Sequence, residues 1–258
     1  DMQHDFYRPA TYCKLSGALD DKGMPIAWSH RIVGSSIIGQ QNPNALKNGI
    51  DRTSVEGAAD LPYSIPNLYV DYIREEPGIP VGFWRSVGNS VNGYVTEAFF
   101  DELAAAAGKD PFELRRQLLA AKPRHKAVLE KAAAMAGWGT SVPSGRFRGI
   151  AVHEAFGSIV GTVCEISAAV DGTVRVHKVA CAVDCGWTIN PDTIVAQMEG
   201  GIVYGLTAAQ KGEIAILNGR VVQRNFNDYP MMRQSEMPAI EVAIIPSGEA
   251  PGGIGEPS

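Results

Sequence analysis

The chain is poor in cysteine and histidine and has no long apolar or basic run, and each shortage closes off a class of function. Four cysteines in 258 residues cannot staple a disulfide scaffold. Cys181 and Cys185 stand four apart with no second Cys or His pair beside them, which argues against a structural zinc site. Cys13 and Cys164 sit in strand-like runs and read as small buried hydrophobes. The formal net charge is −5 and the longest basic run is Arg115-Arg116, so the electrostatic footprint of a nucleic-acid binder is missing. No stretch approaches the roughly 20 apolar residues that cross a bilayer, and none reads as a signal peptide. His153-Glu154 lacks the second histidine of a zincin, because Gly157 stands where it would fall. What remains is ordinary globular composition, 45% hydrophobic and 20% charged, long enough for one large or two smaller domains.

Hydrophobic periodicity and turn residues divide the chain into grouped strands and grouped helices, which defines an α+β class. Residues 11–19 and 24–33 flank Asp20-Asp21-Lys22-Gly23 as a hairpin, and 68–74 is strand-like. The polar stretch 34–60 reads as a long loop with one short helix. A helix is expected from Asn89 or Ser90 to Ala107, with Gly108 as its stop, and a second from Asp110-Pro111. A third spans about 124–135. The connector 140–145 suggests a boundary, giving a first region 1–140 and a second 141–258. Beyond it come strands at 149–154, 161–170 and 174–183, with Asp171-Gly172 as a turn. A helix from Pro191 to about Ala208, a hairpin over 212–223 and a strand at 239–245 complete the second region.

Three segments carry the chemistry. The first is Pro251-Gly-Gly-Ile-Gly-Glu-Pro-Ser258, where Pro257 restricts Glu256 to extended angles and the glycines let a large ligand come near. Alone, such a glutamate is usually a solvated turn residue. The second is Gly82-Phe-Trp-Arg-Ser-Val-Gly-Asn89, an arginine-bearing turn entering a helix, where backbone N–H groups favour an anion. Its bland reading is a buried aromatic turn with a salt-bridged arginine. The third is Ala196-Gln-Met-Glu-Gly-Gly-Ile-Val-Tyr-Gly205, a helix in which Gly200, Gly201 and Gly205 suggest close packing or ligand approach. A dinucleotide fingerprint on Gly252-Gly253-Ile254-Gly255 is a poor reading, since no helix follows those glycines.

In this order and spacing the three segments resemble the molybdopterin-binding large subunit of the xanthine dehydrogenase and aldehyde oxidase family. The branch it resembles is the isoquinoline 1-oxidoreductase β-subunit type, which includes bacterial aldehyde dehydrogenases. Subunits of that family are much longer, so the resemblance implies an interior piece. It also implies the family's molybdenum-cofactor-binding fold of mixed sheets, hairpins and packed helices. By the resemblance Glu256 is the general base, Gln197 approaches the pterin, and Arg85 and Ser86 line the cofactor. Phe156, Gly157 and Gly255 join that cofactor shell, while Trp84 and Val87 face the substrate. Trp84 stands for the usual Phe, and Val87 for a frequent aromatic, a departure from the pattern that stacks a planar heteroaromatic substrate.

The implied cofactor is molybdopterin, in its cytosine dinucleotide form, with molybdenum; no side chain ligates the metal. The [2Fe–2S] clusters would sit on a small iron–sulfur partner subunit. Other implied partners are the remaining segments of the large subunit, a small-molecule substrate and, in some assemblies, a cytochrome c subunit, with no nucleic acid. The implied reaction oxidises aldehydes or N-heteroaromatic compounds with water as oxygen source. Periplasmic, membrane-associated and cytoplasmic bacterial locations are all compatible with it. The alternative is a non-catalytic structural or assembly piece without cofactor.

Overall fold

A computed structural model describes residues 2–258. The chain forms two compact units, Phe6–Lys126 and Ala127–Ser258, the latter joined by residues 2–5. The division falls inside a helix, upstream of the 140–145 connector, because packing rather than loop composition sets it.

In the first unit β1 (Thr11–Leu19) pairs antiparallel with β2 (Pro25–Gly34), which pairs in parallel with β3 (Asn67–Arg74). The hairpin turn closes as expected: Asp20 Oδ1 accepts from Met24 N at 2.8 Å. Along β2 the side chains alternate, so Trp28, His30 and Ile32 are buried while Ala27, Ser29 and Val33 are half-buried and Arg31 is exposed. That face packs on α3 (Gly88–Ala106), with Trp28 meeting Phe99 edge-on at 4.9 Å. The stretch expected as a loop with one helix holds two short helices, α1 (Ile37–Gln41) and α2 (Arg52–Val55), and a 3-10 turn at Pro43–Ala45. Their organiser is Asp51, 1% exposed. It accepts from Ser36 Oγ at 2.7 Å, Ile38 N at 3.0 Å, Thr53 N at 2.8 Å and Thr53 Oγ1 at 2.6 Å. A buried carboxylate needs such donors, and no periodicity announces them.

Helix α4 (Pro111–Leu118) begins at the expected Asp110 cap, whose Oδ1 accepts from Phe112 N and Glu113 N. From it Arg115, fully buried, reaches Glu97 at 2.9 Å and Asp101 at 2.6 Å, and its guanidinium lies 4.5 Å from the Phe100 ring. Tyr63 Oη donates to the same Glu97 at 2.6 Å. Burial works against the Arg115 charge, yet Glu97, Tyr63 and Asp101 hold its pKa above the ordinary value.

In the second unit β4 (Arg146–Ala155), β5 (Ser158–Ala168), β6 (Val174–Asp184) and β9 (Ala239–Ile244) form one sheet in that order; β6 and β9 are parallel. Helix α5 (Pro123–Ala136) meets it so closely that a Cβ on Gly161 would lie 2.6 Å from Val128 O. Helix α6 (Pro191–Gln210) covers β6 with Ile194, Met198 and Ile202. From Val179 to Asp184 every β6 residue is buried, as a central strand covered on both faces requires. A short hairpin, β7 (Ile216–Leu217) with β8 (Arg220–Val221), stands apart. Cys164 and Cys181 lie in this sheet, and burial pushes their thiols up to about 11 and about 12. They are packed thiols rather than reactive thiolates.

Candidate active site

In the first unit the aromatic turn starts where Gly82 N donates to Tyr7 O at 3.0 Å, and the Arg8 guanidinium lies 4.8 Å from the Trp84 ring. Val87 N donates to Trp84 O at 2.8 Å, closing a four-residue turn. Its third residue, Ser86, has φ +73°, a value that a type II turn asks of glycine. Val87 follows at φ +51° and ψ −129°, a genuine outlier for a β-branched side chain. Trp84 and Val87 both wall a cavity of about 30 Å³, together with Ser54, Tyr72 and Asn92. That volume holds about one water, and Asn92 Oδ1, buried beside it, has no protein partner.

One expectation for this turn is corrected. Neither Asn89 nor Ser90 caps α3; the N-cap is Val87, without a side-chain cap bond. The orphan donor of Gly88 goes instead to Glu56 Oε1 at 3.1 Å. A carboxylate of the protein thus takes one of the helix N-terminal donors that the sequence offers to an anion.

The second unit carries the glutamate. Gly252 N donates to Cys185 O at 2.9 Å and Gly253 N to Phe156 O at 2.8 Å, so the glycine-rich loop is knitted to β6 on one side and to the β4–β5 turn on the other. A Cβ on Gly252 would meet Gly157 C and O and Ser158 Oγ, each at 2.6 Å; only glycine lets the two loops touch. Phe156 and Gly157 form a two-residue hairpin with φ +54° and +79°, the pattern of a type I′ turn. The strands expected at 149–154 and 161–170 extend to meet at this turn, which the sequence does not announce because Phe is not a residue that such a turn prefers.

Helix α6 meets the loop farther on, where a Cβ on Gly201 would strike Ser258 Oγ. At Gly200 and Gly205 a Cβ would meet nothing within 4 Å. Of the three glycines expected to answer a steric demand, Gly201 alone does so. Asn190 Oδ1 caps α6 through Thr193 N at 3.1 Å. Gln197 is exposed on its outer face.

The candidate residues are therefore divided. Trp84, Arg85, Ser86 and Val87, all half-buried, belong to the first unit. Exposed Phe156, Gly157, Gln197 and Gly255 and half-buried Glu256 belong to the second. Among the described residues, no group of three or more His, Cys, Asp or Glu could hold a metal ion. The second unit does offer places for a polar organic group. Ser158 Oγ and Ser258 Oγ are buried without a partner, and a Cβ on Gly255 would meet open space. Ser258 and Glu56 went unmarked in the sequence, since their contacts join segments far apart in the chain.

Residues 127–238, which hold β4, β5, β6 and α6, match the molybdopterin cofactor-binding domain family. The whole chain is 28% identical to isoquinoline 1-oxidoreductase subunit beta of Brevundimonas diminuta, over 99% of the chain and 34% of the relative. It is also 28% identical to the membrane-bound aldehyde dehydrogenase (pyrroloquinoline-quinone) of Gluconacetobacter polyoxogenes, over 100% of the chain and 37% of the relative. The fold matches a CO dehydrogenase from Oligotropha carboxidovorans with TM-score 0.78 at 11% identity, over 95% of the chain and 56% of that structure. It matches quinoline 2-oxidoreductase from Pseudomonas putida 86 with TM-score 0.72 at 11% identity, over 95% and 57%. Residues 127–238 thus carry the molybdopterin cofactor-binding domain, and the chain as a whole is similar to subunits of molybdopterin-dependent oxidoreductases. It spans about a third of the length of these two curated relatives.

Proposed function

We propose that the chain is part of the catalytic subunit of a molybdenum hydroxylase that oxidises aldehydes or N-heteroaromatic compounds with water as the oxygen source. One observation carries the reading. Five non-glycine residues among those described have positive φ, and two are asparagines, for which it is ordinary. The other three are Ser86, Val87 and Phe156, all in segments that the family resemblance assigns to cofactor or substrate. Backbone strain of about 1–3 kcal/mol per residue persists where surrounding structure over-determines it, and it gathers at working sites.

When bound, the molybdenum cofactor, in its cytosine dinucleotide form, supplies the redox centre and Lewis acidity. The chain's own residues bind, orient and move a proton. The Ser158 hydroxyl, fully buried and without a protein partner, and the Gln197 amide offer hydrogen bonds to the pterin. The open face of Gly255 admits it closely. Arg85 and Ser86, in the first unit, are assigned to the cofactor on the family resemblance alone. Glu256 is the general base. Its loop is anchored at Gly252 and Gly253, and buried Pro257 restrains the backbone next to it, so the carboxylate has a fixed aim. Electrons leave to an iron–sulfur subunit.

The test uses the full-length protein with its co-purifying partner, assayed for molybdenum, pterin and turnover. Glu256→Gln is expected to abolish turnover and leave molybdenum unchanged; loss of metal along with activity assigns Glu256 a structural role instead. Gln197→Ala is expected to lower pterin retention. Wild-type protein without molybdenum or pterin supports a non-catalytic assembly piece, and pyrroloquinoline quinone in their place, the cofactor in one relative's name, refutes the molybdenum reading.

A further inference from the structure

The geometry points to Glu56 as the positioning residue that holds the strained Ser86–Val87 turn in its working conformation; this rests on the proposal that the turn lines the cofactor and substrate. Val87 at φ +51° and ψ −129° is a conformation that its branched side chain resists, so something outside the turn must hold it. The turn's own bond, Val87 N to Trp84 O, is local and cannot set where the next peptide goes. Ser90 Oγ donates to Val87 O at 2.8 Å, fixing one side of that peptide. The other side, the Gly88 N–H, is fixed by Glu56 Oε1 at 3.1 Å. Between them these two bonds fix the orientation of the Val87–Gly88 peptide plane.

Glu56 can act as an anchor because its own segment is immobilised. Asn92, 1% exposed and one turn into α3, donates through Nδ2 to Glu56 O at 2.9 Å and Ser54 O at 3.0 Å. Buried Asp51 holds the start of the same segment through Thr53 N and Oγ1. The approach is so close that a Cβ on Gly88 would strike Thr53 O, which is why glycine begins the helix. The carboxylate is also placed where the positive end of the 19-residue α3 favours an anion. Loop, turn and helix thus meet at one side chain that lies 32 residues from its donor, Gly88 N.

The experiment has two arms. Hydrogen exchange on the full chain reads the amides of residues 86–89. Glu56→Ala is expected to speed their exchange about 10-fold, while Glu56→Gln, which keeps an oxygen acceptor, stays within about threefold of wild type. In a Val87→Gly background the backbone no longer resists its angles, so Glu56→Ala should change exchange much less. Equal effects of Glu56→Ala in both backgrounds overturn the proposal. Should Glu56→Ala fail to fold, Glu56→Gln and the Val87→Gly pair with it still decide the point.

Steady-state kinetics of the full-length enzyme form the second arm. Misplacing the turn should cut kcat by about 10- to 100-fold in Glu56→Ala, with recovery in Glu56→Gln. Faster exchange with unchanged kcat means that Glu56 serves stability alone and overturns the positioning role. If the wild-type enzyme shows no oxidase activity, the functional reading falls, and the exchange arm by itself still confirms or refutes the clamp.

Discussion

Replacing Gly200, Gly201 and Gly205 one at a time by alanine separates helix propensity from steric demand within one helix. In α6, Gly→Ala contributes about 1 kcal/mol of helix stability wherever the new methyl has room. Gly200 and Gly205 are exposed, and a Cβ at either meets nothing within 4 Å. Each variant should therefore stabilise the chain by about 1 kcal/mol, roughly 3–5 °C in Tm for a unit of this size. Gly201 is buried, and its Cβ would strike Ser258 Oγ while lying 3.2 Å from Ser258 O and 3.3 Å from Ser258 Cβ. Overpacking of this kind costs about 1–3 kcal/mol, which offsets or exceeds the helix gain. Ser258 lies two residues beyond Glu256, so relief of the clash should move the loop that carries the proposed base. Thermal and urea unfolding of the three variants, with hydrogen exchange across residues 250–258, provides the assay. Gly201→Ala should loosen that loop and fail to stabilise, while its two neighbours stabilise and leave the loop alone. Three equal stabilisations, with no change in loop exchange, would refute the steric argument.

Other parts of the fold make equally direct predictions. His30 is fully buried, both ring nitrogens lack a partner, and burial pushes its pKa from 6.5 down to about 4 against the opposing pull of Asp71. Its folded pKa is depressed, so the unfolded chain binds the extra proton first and stability is lost as pH falls from 6.5 through 4. The loss should be on the order of 3 kcal/mol of unfolding free energy, read by urea denaturation. His30→Phe should remove that pH dependence; an unchanged profile assigns it to other groups. Arg115→Met should destabilise by about 3–5 kcal/mol, because Glu97 loses its buried cation, and a cost below about 1 kcal/mol in urea unfolding contradicts the network's role. Gly252→Ala should release the β4–β5 turn from the glycine loop, read as faster exchange at Phe156–Ser158; unaltered exchange there denies that the loops need glycine to touch.

Local chemistry alone fixed many of the elements. Asp20-Asp21-Lys22-Gly23 and Asp171-Gly172 close hairpins because short side chains and glycine suit tight turns. Asp110-Pro111 and Asn190-Pro191 start helices because a side-chain oxygen satisfies orphan N–H groups within three residues. The order and spacing of the three motifs pointed to the molybdopterin family, and the family match and the fold agree. Tertiary structure alone decided the features in which the partners lie far apart. No local signal tells that Glu56, rather than Asn89 or Ser90, answers the first N–H of α3. Nothing in Val87 or Phe156 announces a positive φ, since Glu56 holds the peptide after Val87 and Gly253 N bonds to Phe156 O, both from far along the chain. Gly201 is indistinguishable in sequence from Gly200 and Gly205 until Ser258 comes against it. Propensity and capping act over a few residues and can be read from the sequence; strain and close approach are properties of packing, and become visible only when distant segments meet.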